Sequence, residues 1–468
     1  MAISSRASLC AYLARQAGLE IIYTVVTQLR WTRISVGFGP LSAGAPNIVN
    51  TGKPSGAHYY TVVSWAPASI LAGLLVVMVV ASGIAQESTA RAPIRNLFGA
   101  IFDPDTGPTF NIGGEISGDI GFAHDDVSLS YDTVALRRAK LGIEGRIVRR
   151  LSYRIIGDLS GDTIGLAEGY IAFRHEWETG RALQIQVGHF KPPNTLEFLS
   201  SGRFVSFMER SASSQAFGFA RQYGVGVDYT IGNVGLSAGV FSYSTDVERK
   251  EGGGRNISIR GYRTVRVDNA LRHVGVSLRF RDAGNEAPYQ YSARLPLRLA
   301  NDSFINTGEV GDHDRFAGGE LLYANDSYHV FVELGVVGVE LADPRGNANF
   351  WGVNAEVGYW LTGELAADAF GGGRWQRPGF KTAMMGNNGW GAVQVVAGVD
   401  FADLSDGSIA GGRQLSLKAG ANWWPRENVR MSTNMAYSIV RDSNFTAVAG
   451  PDGKNNIFLL GVRAQFDF

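Results

Sequence analysis

The strongest constraint in this chain is a period of two. From Phe110 to Phe122, Phe110, Ile112, Ile116, Ile120 and Phe122 share one parity, while Asn111, Glu115, Ser117 and Asp119 share the other. Successive side chains of a strand point to opposite faces, so such a segment has one apolar and one polar face. The pattern returns at 134–148, where Ala139, Leu141 and Ile143 oppose Arg138, Lys140, Glu144 and Arg146. It recurs at 182–189 and 272–280, and it is clearest in the C-terminal third. There Phe458, Leu460, Val462, Ala464, Phe466 and Phe468 oppose Arg463, Gln465 and Asp467. Fourteen to sixteen such segments can be counted, each about ten residues long, the length a tilted strand needs to cross a bilayer. Tight turns (Gly180-Arg181, 424–428) alternate with longer polar loops (343–349, 441–456), and no long amphipathic helix interrupts them. A soluble sandwich also alternates, but its strands are shorter, and this many would split into domains. No linker or break in composition divides the chain. In a bilayer only a closed barrel leaves no strand edge unpaired. The expected fold is therefore all-β, a transmembrane antiparallel β-barrel of about 16 strands. Aromatics at segment ends (Trp351, Tyr359, Trp360, Trp423, Trp424) suit interfacial girdles.

Composition removes the alternatives. The 43 basic and 43 acidic residues cancel, unlike the basic excess of nucleic-acid proteins. A mean hydropathy of −0.02 is too polar for a bundle of membrane helices. Sixty glycines beside 11% aromatics fit neither collagen nor a disordered chain. The single cysteine, Cys10, precedes a predicted cleavage site, so no disulfide framework or thiolate metal site is expected. The apolar run Ile70–Ala85 ends with Gly83 and Ala85 at the −3 and −1 positions of a cleavage before Gln86, as in a secretory signal. The expected organisation is an N-terminal extension over 1–61, with true initiation near Val62 or Val63, and a cleaved signal peptide over 62–85. A short N-terminal segment over 86–109 and a barrel over 110–468 follow. An export signal, no mature cysteine and a terminal Phe468 on an alternating strand point to the outer membrane of a Gram-negative bacterium.

One long insertion, Phe190 to Gln222, breaks the alternation. Loops this long inside a compact barrel are usually functional. It carries Lys191, Arg203, Arg210 and Arg221 against Glu197 and Glu209. Five blocks then become specific in combination: LRRAKLGIEG (136–145) followed by LSYRIIGDLS (151–160), GHFKPPNTLEFLSSGRFVSFMERS (188–211), YWLTGE (359–364), GGRQLSLKAGANWW (411–424) and the terminal RAQFDF. In this order they resemble the phosphate-selective porin O and P family. The resemblance implies a trimeric, sixteen-stranded channel for anions with an inward-folded constriction loop. The family's arginine doublet on the second strand matches Arg137 and Arg138, and its basic positions in loop three match Arg203 and Arg210. With Lys140, which shares the parity of Arg138, and Lys191 of the insertion, these form the candidate anion-binding set. Basic groups facing a narrow lumen lower the barrier for anions, and a guanidinium fork suits phosphate oxygens. On alternation alone only Arg138 of the doublet faces in. Arg137 must bend at the strand end or face lipid headgroups or a neighbouring subunit. The bland alternative for Arg203 and Arg210 is a solvated rim charge or an ion pair to Glu197 or Glu209.

Two departures from the family pattern matter. Glu115 stands where its best-known members carry arginine, and Ala167 where they carry aspartate, beside Glu168. The insertion is expected to fold inward, with Arg203 and Arg210 facing Arg138 and Lys140 across a constriction. Small anions, phosphate foremost, outer-membrane lipid and further copies of the chain are the expected partners. No nucleic acid, cofactor, metal or catalytic residue is expected. A channel for organic acids or sugars is the second reading, with Tyr170 and Trp360 as aromatic candidates. A barrel hydrolase is the third. The sequence Gly235-Leu236-Ser237-Ala238-Gly239 matches a nucleophile elbow but lies in an alternating strand, not a strand–turn–helix. Asp312-His313-Asp314 reads as a solvated loop cluster.

Overall fold

The computed structural model describes residues 108–468 apart from 128–129, 162, 219, 243–253, 285–287, 299–302, 342–345, 365, 380–388 and 445–449. The expected extension and signal peptide, and nearly all of the segment 86–109, lie outside the described residues. The alternating segments form long strands: β1 (Asn111–Asp125), β2 (Ser130–Val148), β3 (Leu151–Asp158), β4 (Gly165–Trp177), β5 (Arg181–Phe190), β6 (Gln222–Ile231), β7 (Val234–Ser242), β8 (Arg255–Val267) and β9 (Ala270–Asp282). A short β10 (Tyr289–Ala293) precedes β11 (Ile305–Ala324), β12 (Tyr328–Leu341) and β13 (Asn347–Trp360). After a two-residue hairpin, β14 (Phe370–Gly371) and β15 (Arg374–Trp375), come β16 (Ala392–Asp406), β17 (Ile409–Arg426), β18 (Val429–Arg441) and β19 (Asn455–Asp467).

Sixteen of these strands, all except β10, β14 and β15, close an antiparallel ring, with β9 paired to β11 and β10 added alongside β11. The seam is β1 on β19, in register from Glu115 opposite Asp467 to Asp125 opposite Ile457. Phe468 N–H donates to the Gly114 carbonyl at 3.2 Å and Gly114 N–H to the Phe468 carbonyl at 3.0 Å, so pairing runs to the last residue. The ring is inside-out. On β9, Val274, Val276, Leu278 and Phe280 are 40–54% exposed, while His273, Ser277 and Arg279 between them are buried. An apolar outer face and a polar inner one are what a bilayer selects.

Three segments fill part of the interior. Antiparallel pairing brings the described residues of 191–221 and 283–304 in from one end of the barrel and those of 361–391 in from the other. The first contains α1 (Leu196–Leu199) and α2 (Ala212–Phe217). With 283–304 it builds an apolar cluster against the wall that includes Met208, Phe217, Tyr291, Leu297, Phe316 and Phe350. The alternation predicts one inward loop; the other two are additions by the structure. Glycines make room on the wall. A Cβ on Gly352 would lie 2.6 Å from the Ser213 Cβ, and one on Gly398 would lie 2.9 Å from the Phe207 ring.

The aromatic girdle needs correction. Trp351 and Tyr359 are exposed on the outer face. Trp360 and Trp424 have the opposite parity and point inward, with ring centroids 5.2 Å apart. They join Phe331, Phe370 and Trp375 in a second buried cluster.

Candidate functional site

A loop inside a barrel has no ladder of its own, so its buried backbone groups need other partners. The inward-pointing polar residues of the wall supply them. Leu196 N–H donates to Glu320 at 2.7 Å, Glu197 N–H to Glu333 at 3.0 Å, Ala212 N–H to Asp400 at 3.2 Å and Met208 N–H to Asn434 at 2.6 Å. In the other direction Arg430 donates to the carbonyls of Arg203 and Ser206 at 2.9 and 3.0 Å, Arg463 to that of Met208 at 2.5 Å, and Arg279 to that of Phe217 at 3.0 Å. Charged wall residues on β9, β11, β12, β16, β18 and β19 thus hold the insertion in place.

The arginine doublet sits at a β-bulge. Ser117 of β1 lies opposite Arg138, but Gly118 lies opposite Leu136, which leaves Arg137 as the extra residue. A bulge re-aims a side chain, and here both arginines reach the interior. Strict alternation misses this. Arg137 makes a bidentate pair with Glu209 of the insertion, Nε and Nη2 each at 2.7 Å. Arg138 Nη1 donates to Glu115 and to the Gly202 carbonyl, both at 3.2 Å. Burial alone would raise the Glu209 carboxyl, but the Arg137 bond and the charges of Arg137, Arg463 and Arg138 hold it well below the usual carboxylate range.

The remaining candidates are placed as follows. Lys191 Nζ donates to the carbonyls of Phe198, Leu199 and Ser200 at 2.5, 3.3 and 3.1 Å, at the C-terminal end of α1. Burial, then the Arg210 and Arg221 charges, push its ammonium well below the ordinary lysine value. Arg210 donates to the carbonyls of Glu197 and Ser200 at 3.1 and 2.7 Å. Arg203 lies over the Phe204 ring at 5.2 Å, with Asp467 at 3.8 Å. Neither arginine pairs with the carboxylates of Glu197 or Glu209, because Ser211 occupies the first and Arg137 and Arg463 the second.

Among the described residues, an open space of about 760 Å³ lies in the barrel, on the side of β1–β8. It is lined by Arg138, Lys140, Lys191, Arg203 and Arg210, but not by Arg137. Arg154, Arg174, Arg221, Arg260 and Arg374 join them, so ten basic side chains face the space against the carboxylates of Glu115, Glu144, Glu168 and Asp228. Parity finds Arg154 and Arg174 in the sequence. Arg260 is legible only once its strand is placed. Arg374 rides on the hairpin of the third inward segment, for which alternation carries no signal.

Two readings of single motifs are settled by the wall. Asp312-His313-Asp314 lies within β11 and not in a loop; Asp312 and His313 are exposed, as a solvated cluster requires, but Asp314 is not. Asp314 is buried and accepts from Arg279 at 2.9 Å, from Tyr291 at 2.5 Å and from Arg281. Ser237 sits mid-strand in β7 and donates to Asp228 at 2.5 Å, in no elbow.

The family model described as phosphate-selective porin O and P matches residues 110–468. An uncharacterized protein of Caulobacter vibrioides is 27% identical over 355 residues, which cover 73% of this chain and 70% of that protein. Among solved structures, OmpT, an outer membrane protein of Vibrio cholerae, aligns with a TM-score of 0.49 at 9% identity, over 78% of this chain and 99% of OmpT. An anion-selective porin from Comamonas acidovorans aligns with a TM-score of 0.45 at 11% identity, over 77% and 100% of the two chains.

Proposed function

The chain belongs to the phosphate-selective porin O and P family and is an outer-membrane porin, and from that premise we propose that it is a passive, anion-preferring diffusion channel. The observation that carries this reading is the imbalance of the lumen. Ten basic side chains line the space with four carboxylates, and Glu320, Glu176 and Asp467 pair with three of the ten from outside the lining, so bases still outnumber carboxylates and give the barrel interior a positive wall. A fixed positive field in a low-dielectric tube concentrates anions and repels cations. The sequence as a whole carries no net charge, so the bias is one of placement.

Chloride, carboxylates and phosphate are then the solutes, and Arg138, Lys140, Lys191, Arg203 and Arg210 belong to the positive wall. Arg137 acts through Glu209, by holding the insertion against the β2 side. Outer-membrane lipid bathes the apolar outer face. Assembly as a trimer rests on the family alone. A sugar channel finds little support, because Trp360 lies in a buried cluster and Tyr170 faces the lumen without it. The test is the reversal potential of single channels in a KCl gradient across a planar bilayer. A potential of the sign for chloride permeation supports the proposal. A potential near zero, or one of the sign for potassium, overturns it.

A further inference from the structure

Ten bases line the lumen, but they are not equally available to a passing ion. Arg138 is engaged by Glu115, Arg221 and Arg154 by Glu168, Arg260 by Glu320, Arg174 by Glu176 and Arg203 by Asp467. Lys191 and Arg210 carry no such pair, but Lys191 donates to three loop carbonyls and Arg210 to two. Two remain. Among the described residues, Lys140 and Arg374 line the space and have neither a carboxylate within 4 Å nor a carbonyl acceptor.

Each is left bare for a visible reason. Lys140 stands between Glu115 on β1 and Asp158 on β3, its partners in register. One oxygen of each is engaged elsewhere, Glu115 Oε1 by Arg138 and Asp158 Oδ1 by the Ser160 hydroxyl and N–H at 2.6 and 3.1 Å, and neither carboxylate forms an ion pair with the ammonium. Arg374 is exposed on a hairpin whose neighbouring residues are held in place. Its turn, Gly372-Gly373, has φ of +57° and +69°, which favours glycine. Arg260 donates to the Gly373 carbonyl at 2.6 Å, Trp375 N–H to the Ser200 hydroxyl at 2.9 Å and Gln376 N–H to the Ala369 carbonyl at 2.9 Å. The Trp375 ring packs 4.9 Å from His329 and 5.8 Å from Phe370. A hairpin fixed on both flanks thus presents one charge to the water.

Resting on the anion-channel reading above, we propose that Lys140 and Arg374 set the selectivity of this pore, and that it passes small anions without holding phosphate. A phosphate dianion is held tightly by several charge-assisted donors that converge without competing acceptors. Here the guanidinium forks near the insertion already have acceptors, and the two bare cations sit on different elements, one on the wall and one on the hairpin. Such an arrangement attracts an anion electrostatically and lets it leave.

The test uses the full chain in planar bilayers, with reversal potentials in a KCl gradient for wild type, Lys140→Gln, Arg374→Gln and the double variant. Arg315→Gln is the control: it removes a charge paired with Glu340 on the outer face of the barrel wall. Heat-modifiable migration on a gel verifies that each variant has folded. The expected result is a fall in the chloride-to-potassium permeability ratio of about fourfold for each single variant, since one charge about 10 Å away in water changes the chloride and potassium terms about twofold each in opposite directions. A larger fall in the double variant and no change in the control complete it. Phosphate added to chloride is expected to leave the chloride current unblocked. An anion-selective wild type whose ratio is untouched by Lys140→Gln and Arg374→Gln overturns this inference and leaves the channel reading standing. So does a ratio that falls equally in the control, or a current blocked by phosphate at low concentration. A wild type without anion preference overturns the channel reading itself.

Discussion

At the scale of single residues, Glu115 decides how much of the family's chemistry this chain keeps. Its carboxylate lies 3.2 Å from Arg138 with both side chains nearly buried, so the pair adds no net charge to the lumen. Glu115→Gln removes the countercharge and leaves Arg138 free to meet an ion. One unit charge gained at about 10 Å in water raises the chloride-to-potassium ratio about fourfold, about twofold from each ion. Reversal potentials check this, and phosphate titrated into the same channels is expected to block more strongly than in wild type. An unchanged ratio would mean that solvent already screens the carboxylate from the path. Arg138 and Lys140 were legible from parity, since a lumen-facing base needs only the period of two. Arg137 was not, because a bulge adds one residue to one strand, and nothing in LRRAKLGIEG marks where the extra residue falls.

At the scale of elements, the insertion 191–221 is held by charges whose protonation sets the limits of its stability. Glu209 accepts from Arg137 and Arg463, and its folded-state pKa lies below the ordinary carboxylate range. A depressed carboxyl contributes stability that is present above its unfolded value, near 4.3, and is lost as pH falls through the folded value. This contact is therefore expected to survive mild acid and to fail only below the ordinary range. Conductance and resistance to trypsin, followed from pH 7 downward, are expected to stay flat to about pH 4.5 as far as this contact governs them. Glu209→Gln is expected to bring on the noisier current of a loosened loop already at neutral pH. The boundaries of this element could be read from the sequence, since alternation stops at Phe190 and resumes at Gln222, where β5 ends and β6 begins. What it docks on could not. The pairing of Glu320, Asp400, Asn434 and Arg463 with loop backbone depends on which inward wall positions come to lie beside it, and parity says nothing about distance around the ring.

At the scale of the whole molecule, the pore is defined by what enters the barrel rather than by the barrel. A sixteen-stranded ring leaves an aqueous channel of its own, yet here segments from both ends meet inside it. The contact of Trp375 N–H with the Ser200 hydroxyl joins the segment 361–391 to the insertion 191–221, so neither alone sets the cross-section. Replacing 366–376 by a short turn takes away Arg374, the hairpin and one wall of the lumen but no strand of the ring. Folding is expected to persist, seen as unchanged heat-modifiable migration, because no ring strand is paired through the hairpin, whose two strands pair with each other. Conductance is expected to rise about twofold or more as the aqueous section widens toward that of the bare ring, and the chloride-to-potassium ratio is expected to fall along with it. A rise in conductance with the ratio intact would locate selectivity on the barrel wall at Lys140 and leave Arg374 a bystander. A loss of folded barrel would show instead that the hairpin holds the insertion and wall together as one core. The two inward segments are then a single device, in which the buried face of Trp375 supplies position and the exposed Arg374 beside it supplies charge.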